Sequence, residues 1–303
     1  MDVLRIALPK GHLWSQVSDL INQAGYGLTL RNERSYLISS NDPELKFRIH
    51  RAQNIAPLVE EGIYDLGITG YDWLMEHGSN VKELMDLELG KVNVVAAVPQ
   101  KFGINCSGAD AFKRVVKKIR SEGRTSVIAA SEYANIARNL SRKKLKGAPT
   151  KIIHSYGATE TFIDVADVIV DCTETGETLR QNGWSIVYNL FESTARLVAN
   201  RESLRNPWKK NKIADFQLLL TGAKNARGLK LLKMNVPEKF FNRVMKVLPA
   251  MKSPTISRLH GRKDSGYAVE VAVTGDQLVK LIPTLKKNGA TDILEVDIKK
   301  VIQ

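Results

Sequence analysis

Residues 166–182 read ADVIVDCTETGETLRQN, and this stretch indicates how the chain is folded. Its first part, Ala166 to Asp171, is apolar enough for a buried strand, and Leu179 to Asn182 continue as a helix. Between them lies a short polar loop that contains Gly176. Because a strand, a tight turn and a helix form the repeating unit of α/β proteins, we expect an α/β fold.

The loop also has the composition of an anion-binding site. Backbone N–H groups at a helix start have no intrahelical partners, and the helix dipole adds partial positive charge there. Gly176 lets the backbone approach a bound oxygen, and Thr173, Thr175 and Thr178 offer hydroxyl donors. Asp171, at the strand end, is placed to hold a sugar hydroxyl or a hydrated metal. The loop lacks the P-loop and dinucleotide fingerprints, so an ordinary strand–helix connector is the alternative.

Composition restricts the class of protein. The 303 residues suffice for two or three domains, and 43% apolar with 25% charged residues is ordinary for a globular protein. The net charge of +13 suits anionic partners such as nucleotides, sugar phosphates, nucleic acid or acidic membranes. Cys106, Cys172 and the five scattered histidines show no disulfide or zinc spacing. The N-terminal residues begin a strand, and no apolar run reaches membrane-spanning length, so we expect a cytoplasmic protein.

Further strand–turn–helix units are predicted to meet the loop at one edge. One strand ends before Pro9-Lys10-Gly11-His12, and another, from Asp65, runs into Gly70 and Asp72. In a doubly wound sheet, ligands bind beyond the carboxyl ends of the strands. This rule places Lys10, Gly70, Asp72, Glu132 and Asp171 to Thr178 around one cleft.

The pattern changes near residue 212. Residues 205–212 are basic and contain Pro207, which indicates either a linker or the start of a helix. After them, alternating patterns predict β-α-β-β-α-β, the split ferredoxin-like order, so residues 212–303 form a separate domain. The units before it are more numerous than one sheet needs, which predicts two lobes. Residues 191–200 are predicted as a helix, with Ser193 or Thr194 as its cap.

Four motifs occur in an order that resembles one family. They are Leu8-Pro9-Lys10-Gly11, Asp65-Leu66-Gly67-Ile68-Thr69-Gly70-x-Asp72, Asp167-x-Ile169-Val170-Asp171-x-x-Glu174-Thr175-Gly176-x-Thr178-Leu179, and Glu192-Ser193-Thr194-Ala195-Arg196-Leu197. The chain resembles the ATP phosphoribosyltransferases, the first enzymes of histidine biosynthesis. Met234-Asn235-Val236-Pro237 and Lys252-Ser253-Pro254-Thr255-Ile256-Ser257 resemble the regulatory domain of the long form.

The resemblance implies a two-lobed catalytic part like a type II periplasmic binding protein, followed by a C-terminal ferredoxin-like βαββαβ domain. Lobe I would comprise residues 1–95 with 183–208, lobe II residues 96–182, and the histidine-binding regulatory domain residues 212–303. The implied reaction joins N1 of the adenine of ATP to C1 of phosphoribosyl pyrophosphate and releases pyrophosphate, with Mg²⁺. The resemblance also implies histidine as feedback inhibitor and a homo-oligomer that exchanges between dimer and hexamer.

The resemblance assigns site residues through the matching motifs. The residues implied to bind phosphoribosyl pyrophosphate are Asp167, Asp171, Glu174, Thr175, Gly176, Glu177 and Thr178. Those implied to bind ATP are Lys10, Gly11, Gly70, Asp72 and Glu132. Asp171 and Lys10 are the catalytic candidates, Asp171 is the metal candidate, and Asn235, Ser253 and Thr255 are the histidine-binding candidates. The alternatives are that Asp171 merely ends a strand, that Asp72 caps a helix, and that Tyr133 and Trp73 are packing residues. No general base is evident, and adenine N1 is itself a nucleophile.

The sequence also departs from the family pattern. His12 stands where the family has arginine, and histidine is largely neutral at pH 7. Lys91 is a candidate replacement, although it lacks a bidentate fork. The stretch 260–265 is basic where the family is commonly acidic, which weakens the case for histidine binding relative to catalysis.

Two other functions fit parts of the sequence. A ligand-sensing module of the periplasmic-binding type would share the lobes without catalysis, but the chain shows no signal-peptide core and carries a threonine-rich anion loop. A nucleic-acid binder would explain the positive charge, but the lysines and arginines are spread over many elements rather than gathered in a known module. We therefore expect an enzyme with neither a nucleic-acid nor a membrane partner.

Overall fold

The computed structural model of the protein describes residues 2–30, 36–146, 148–249, 253–260 and 266–302. The chain forms two compact units. The first contains residues 1–19 and 26–215, and the second contains residues 20–25 and 216–303. Within the described ranges, no helix combines the length and the apolar character needed to cross a membrane.

The first unit is built from two α/β lobes. Its strands are β1 (Leu4–Pro9), β2 (Thr29–Leu30), β3 (Leu37–Ser39), β4 (Leu45–His50), β5 (Leu66–Gly70), β6 (Lys82–Asp86), β7 (Val92–Pro99), β8 (Val127–Ser131), β9 (Thr150–His154), β10 (Val168–Thr173), β11 (Trp184–Ser193) and β12 (Ala195–Ala199). The helices along this part of the chain are α1 (His12–Gln23), α2 (Ala52–Glu60), α3 (Tyr71–His77), α4 (Gly108–Ser121), α5 (Ala134–Lys144), α6 (Glu177–Gln181) and α7 (Pro207–Asn225).

Each lobe has its own sheet with the same central arrangement. The order in lobe I is β2-β3-β4-β1-β5-β12-β6, and the order in lobe II is β11-β7-β10-β8-β9. In lobe I, β4, β1 and β5 are parallel, and β12 lies antiparallel beside β5. In lobe II, β9, β8 and β10 are parallel, and β7 lies antiparallel beside β10. The strands β12 and β7 each enter their sheet from the other lobe, which is the type II periplasmic-binding-protein arrangement expected from the sequence.

The lobe boundaries differ from the predicted ones. The predicted limit after residue 95 cuts through β7, and β11 was assigned to lobe I although it pairs along its length with β7 in lobe II. The chain instead passes between the lobes at Lys91 and again at Thr194. The run of β-branched residues from Val92 carries no signal of this crossing, because a strand buried in either sheet has the same composition.

One local prediction is wrong, and one that was left open between a linker and a helix start is decided by the structure. Residues 191–200 form the end of β11 and the strand β12, because β12 lies between β5 and β6 and is bonded to both. Of the two alternatives for residues 205–212, the start of a helix is the correct one, since α7 begins at Pro207, a residue suited to the first position of a helix. Asn206 precedes it and accepts a hydrogen bond from the backbone N–H of Lys209 at 3.0 Å.

The second unit contains an antiparallel sheet with the predicted ferredoxin-like order. Its elements are β13 (Leu229–Pro237), α8 (Phe241–Val247), β14 (Thr255–Arg258), β15 (Gly266–Thr274), α9 (Gly275–Lys287) and β16 (Thr291–Asp297), and the sheet order is β14-β15-β13-β16. Alternate residues of β13 and β15, including Leu232, Met234, Val269 and Val271, are buried in one core with residues of α8 and α9. Lys252 and residues 261–265 of the predicted basic stretch lie outside the described residues.

Candidate active site

Two adjoining cavities lie in the cleft between the lobes of the first unit. The main cavity, of about 420 Å³, is lined by Lys10, Gly11, His12, Leu13, Arg51, Ala52, Gln53, Gly70, Asp72, Trp73, Gly90, Val92, Glu132, Tyr133, Cys172, Ser193 and Ala195. The second, of about 370 Å³, is lined by His12, Val92, Glu160, Asp171, Cys172, Thr173, Glu174, Thr175, Thr178 and Leu179. The two cavities share three lining residues, so together they form one continuous cleft.

The residues predicted to bind ATP all line the main cavity. Lys10 and Gly11 follow β1, Gly70 and Asp72 stand at the end of β5 and in α3, and Glu132 follows β8. These positions are at carboxyl ends of parallel strands, where the sequence argument expected a ligand. The Nζ atom of Lys10 lies 3.3 Å from the hydroxyl of Tyr36 and 5.0 Å from its ring centre.

Asp72, however, is engaged by the protein itself. One carboxylate oxygen accepts a hydrogen bond from the hydroxyl of Tyr133 at 2.6 Å, and the other accepts one from Ser193 at 2.6 Å. The Ser193 hydroxyl also accepts the backbone N–H of Asp72 at 3.0 Å. All three residues are buried, with Asp72 only 5% exposed. Asp72 therefore ties α3 of lobe I to Tyr133 of lobe II and to the end of β11, and its contact with the nucleotide stays a prediction.

The hydrogen bonds of Asp72 explain why a glycine stands at position 70. A Cβ atom at Gly70 would lie 2.1 Å from Oδ1 of Asp72, so any side chain there would displace the carboxylate from its two partners. Burial and the nearby Asp72 carboxylate raise the pKa of Tyr133, which keeps this hydroxyl protonated as a donor. The Trp73 ring centre lies 4.6 Å from that of Tyr133, so both aromatic residues pack across the lobes.

The loop 171–178 surrounds the second cavity. Of the predicted phosphoribosyl pyrophosphate residues, Asp171, Glu174, Thr175 and Thr178 line it. Gly176 is required by the turn itself. Its φ of 78° is left-handed, and a Cβ atom there would lie 2.7 Å from the side chain of Ile186. Glu177 is exposed and pairs with Arg180 at 2.9 Å.

Two threonine hydroxyls hold the loop in shape. The Thr173 hydroxyl accepts the backbone N–H of Gly176 at 2.9 Å, and the Thr175 hydroxyl accepts that of Glu177 at 3.3 Å. Such side-chain-to-backbone bonds fix a tight turn before a helix. The loop is therefore shaped before any ligand arrives.

Asp171 is the first residue of this loop and lies at the end of β10. The backbone N–H of Cys172 donates to its carboxylate at 2.8 Å. Burial, with smaller contributions from the carboxylates of Glu132 and Glu160, raises the pKa of Asp171 to about 7. A cation or a sugar hydroxyl that approaches Asp171 would stabilise its ionised form. Glu160, which also lines the second cavity, was not singled out from the sequence.

Asp167 does not lie with the loop. Its carboxylate accepts two hydrogen bonds from the guanidinium of Arg124, at 2.7 and 2.5 Å, and one from the backbone N–H of Ile128 at 2.8 Å. It is 2% exposed and precedes β10, whereas the loop follows β10 at the opposite end. The ribose-binding role predicted for Asp167 is therefore wrong, because a buried carboxylate with three donors is an internal support of the sheet.

Arg51 is the main residue that the sequence argument missed. It is the first residue after β4 and lines the main cavity together with Lys10 and His12. The rule about carboxyl ends of strands could have identified it, since it applies to β4 as it does to β1. Lys91, the predicted substitute for an arginine at position 12, instead pairs with Glu192 at 2.6 Å and is absent from the described linings of both cavities.

The predicted effector residues lie in the second unit. Asn235 of β13 and Thr255 of β14 point to the sheet face opposite α8 and α9, by their register with β15. The Asn235 side chain donates to Asp292 at 2.9 Å, and Ser253 is exposed just before β14. Asp292, an acidic group beside Asn235, was not singled out from the sequence.

No preformed metal cage is present among the described residues. No group of three or more His, Cys, Asp or Glu side chains in these ranges is placed to hold a metal ion. Asp171, at the end of β10, lines the second cavity together with Glu160 and Glu174.

Comparison with known proteins identifies the family. The ATP phosphoribosyltransferase (HisG) family profile matches residues 51–222, and the profile of the HisG C-terminal domain matches residues 226–300. Proteins named ATP phosphoribosyltransferase from Pelotomaculum thermopropionicum and Desulforudis audaxviator are each 39% identical over 305 residues, which cover 99% of this chain and 99% of theirs. One from Chlorobium luteolum is 39% identical over 306 residues, covering 99% of this chain and 98% of its own.

The fold agrees with this assignment. A chain of the ATP phosphoribosyl transferase (HisG:HisZ) complex from Thermotoga maritima superposes with a TM-score of 0.59 at 24% identity, covering 72% of this chain and 96% of its own. The full-length identity and the two family profiles, joined to this fold, show that the chain belongs to the ATP phosphoribosyltransferase family, the enzymes that join ATP to phosphoribosyl pyrophosphate in the first step of histidine biosynthesis.

Proposed function

We propose that phosphoribosyl pyrophosphate lies along the two cavities, with its 5′-phosphate at Thr175 and Thr178 and its ribose against Asp171. Its pyrophosphate would then reach Lys10 and Arg51 in the main cavity. The observation that carries this proposal is the continuity of the cleft: a threonine-lined cavity opens directly into one with two cationic side chains. One end offers threonine hydroxyl donors and the other offers cationic side chains, and both kinds of donor can bind the phosphate oxygens of this substrate.

The proposed placement gives each residue a task in the displacement. As adenine N1 bonds to C1, the C1–O bond breaks and its electron pair leaves with pyrophosphate. Positive charge on the ribose is met by the carboxylate of Asp171, and negative charge on the leaving group is met by Lys10 and Arg51. No general base is required, because adenine N1 already has a lone pair. The protein's main contribution is to position both substrates and to stabilise these charges.

Mg²⁺ is the proposed metal. When bound to the phosphates, it would neutralise charge on the leaving pyrophosphate. Among the described residues, Asp171 is the proposed protein ligand, directly or through water, since its carboxylate lines the second cavity. The absence of a protein cage in these ranges supports binding of the metal together with the substrate.

Arg51 is proposed to supply the charge that His12 lacks. His12 lines both cavities, and Arg51 lines the main one beside it. A guanidinium remains protonated at neutral pH and can form two parallel bonds to a phosphate, which a neutral imidazole cannot. The departure at position 12 would thus be offset by a residue 39 positions later in the chain.

Steady-state kinetics tests the placement. We expect Thr178→Ala to raise KM for phosphoribosyl pyrophosphate by roughly 10-fold, and Arg51→Ala to raise the inhibition constant of inorganic pyrophosphate by a similar factor. Lys91→Ala is the matched control, since Lys91 is exposed and paired with Glu192. Near-normal constants in both test variants would mean that the substrate lies elsewhere.

The second unit is proposed to bind histidine and to regulate the enzyme. Support comes from the match to the HisG C-terminal domain and from the position of Asn235 and Thr255 on one open sheet face. Leu294 and Val296 are exposed on the same face, as their register with β13 requires, which suits contact with another subunit. We therefore propose a homo-oligomer, dimer or hexamer, that needs no accessory subunit and acts in the cytoplasm. Light scattering with and without histidine would test the assembly.

A further inference from the structure

A third cavity lies in lobe II, away from the cleft. It has a volume of about 340 Å³ and is lined by Arg138, Ser141, Arg142, Leu145, Lys146, Ala148, Pro149, Thr150 and Ile152. None of these residues is among those that line the two cavities of the cleft. The lining comes from the second half of α5, the residues that follow it and the start of β9, so we call this space the α5 cavity.

Three cationic side chains line the α5 cavity, and no acidic one does so among the described residues. Arg138, Arg142 and Lys146 follow one another at intervals of four residues, a spacing that makes side chains neighbours on a helix. Residues 133–159 contain six lysines and arginines and no aspartate or glutamate. In the part of the chain that the structure describes, none of the three cations forms an ion pair with a carboxylate. Like charges at this spacing repel each other, so an anion bound between them would be stabilising.

The dipole of α5 explains only some of these charges. Cations near a helix C-terminus compensate its negative end, and this effect falls off within the last turn. Lys143 and Lys144 lie in that turn, but Arg138 lies six residues before Lys144, where the helix ends. Arg138 instead donates a hydrogen bond to the neutral side-chain oxygen of Asn135 at 2.5 Å. Its charge is therefore compensated neither by the dipole nor by a described carboxylate.

The size and the walls of the α5 cavity suit a small ligand. Its volume lies within the range of about 300–1,000 Å³ that is usual for small-molecule pockets. Leu145 is buried and Ile152 is half-buried, so part of the wall is apolar. Arg138 and Arg142 are separated by about 6 Å along the helix axis. Two phosphoryl groups joined through one oxygen can therefore contact both guanidinium groups at the same time.

We propose that the α5 cavity binds a small molecule with two or more phosphoryl groups. Its oxygens accept charge-assisted hydrogen bonds from the guanidinium groups of Arg138 and Arg142 and from the ammonium group of Lys146. The site is separate from the cleft, so it does not depend on where the substrates of the reaction lie.

A ligand in the α5 cavity acts on a helix that also reaches the cleft. The first turn of α5 is held by the carboxylate of Glu76 in lobe I, which accepts the backbone N–H groups of Asn135 and Ile136. Tyr133, just before the helix, lines the main cavity and bonds to Asp72. Bound phosphate oxygens remove the repulsion between the cations and so favour the helical form of α5. The ligand therefore stabilises the helix whose first turn holds the two lobes together.

Equilibrium dialysis with radiolabelled inorganic pyrophosphate tests the site. At 0.15 M salt the Debye length is about 8 Å, so weak attraction to the exposed surface is largely screened. We expect Arg138→Ala/Arg142→Ala to bind one pyrophosphate fewer per chain than wild type. Its kcat and its KM for each substrate should stay within twofold of wild type, because the α5 cavity lies outside the cleft. Arg138→Lys/Arg142→Lys, which keeps both charges, should retain the site.

Arg114→Ala/Lys117→Ala is the matched control, since it removes two exposed positive charges from α4 of the same lobe. It should bind as many pyrophosphates as wild type. Equal binding by Arg138→Ala/Arg142→Ala and wild type, or the same loss in the control, would overturn the proposal. Arg51→Ala assayed in parallel should keep the pyrophosphate of the α5 cavity, so failure of the cleft placement and failure of this site are distinguishable.

Discussion

Asp72 illustrates what a motif can and cannot predict about a residue. The rule about strand ends correctly brings Asp72 into the cleft, because it follows from the order of strands in a parallel sheet. The direction of its carboxylate depends on Tyr133 and Ser193, which lie 61 and 121 residues further along the chain. A sequence pattern contains no information about such partners. Asp167 was misplaced for the same reason, since its partner Arg124 belongs to another segment.

The three-residue contact around Asp72 predicts a coupled loss of stability and activity. Tyr133→Phe and Ser193→Ala each remove one donor and leave a buried carboxylate oxygen without that partner, which should cost about 1–3 kcal/mol of unfolding free energy. Because Tyr133 and Asp72 belong to different lobes, KM for both substrates should also rise. Urea unfolding and kinetics would measure both effects. If Tyr133→Phe kept wild-type stability and wild-type KM values, the contact would have no role in holding the lobes.

The raised pKa of Asp171 predicts how stability changes with pH. Its pKa is near 3.8 in the unfolded chain and about 7 in the folded protein. Between these values the folded state holds a proton that the unfolded state has lost, so this group makes stability fall as pH rises from about 4 to 7. Asp171→Asn removes this ionisable carboxyl, and the variant should therefore have a larger free energy of unfolding than wild type at pH 8, by roughly 2–4 kcal/mol.

The same variant should come within about 1 kcal/mol of wild type at pH 4, where the folded state holds the proton and the unfolded state is roughly half protonated. Unfolding curves at pH 4, 6 and 8 would measure the difference between the two proteins. A difference that is constant over this range would contradict the proposed burial effect. The test needs no substrate, so it reports on the free enzyme alone.

At the level of elements, periodic patterns were reliable where one face is buried and the other exposed. Residues Gly275–Lys287 were predicted as a helix and form α9 with the same bounds. Residues 191–200 were predicted as a helix and instead form strands. Leu197 and Val198 are consecutive residues of β12, so they point to opposite faces of the sheet, and both are fully buried. A strand buried on both faces lacks alternation, so periodicity cannot distinguish it from a short helix.

The contact between α3 and α5 predicts the effect of removing a helix cap supplied by the other lobe. The Glu76 carboxylate accepts the backbone N–H groups of Asn135 and Ile136 at 2.9–3.0 Å, at the start of α5. A negative group there compensates both the unpaired donors and the helix dipole. Glu76→Ala should lower the unfolding free energy by about 1–2 kcal/mol. Glu61→Ala, an exposed change at the end of α2, is the matched control, and equal Tm values for the two variants would contradict this role.

For the whole molecule, the two-lobed architecture and the position of the cleft could be predicted, whereas the lobe boundaries could not. The alternation of strands and helices determines the class of fold, and strand ends determine where ligands bind. The crossing points at Lys91 and Thr194 depend on which sheet a strand joins, and that choice depends on long-range packing. The net charge of the chain did not predict where the cleft lies. Residues 216–303 contain 16 lysines and arginines against 7 acidic residues, so much of the excess positive charge lies outside the catalytic unit.

The division into two units predicts that histidine sensitivity can be removed without loss of catalysis. Asn235→Ala and Thr255→Ala alter the open sheet face of the second unit, while the cleft residues belong to the first. We expect each variant to raise the histidine concentration for half-inhibition by about 10-fold or more, because each removes a protein side chain that could form a hydrogen bond to the charged histidine. We also expect kcat measured without histidine to stay within twofold of wild type. Gln277→Ala, exposed on α9 beyond the other sheet face, should remain as sensitive as wild type. Unchanged inhibition in both face variants, or an equal loss in Gln277→Ala, would place the histidine site away from this face.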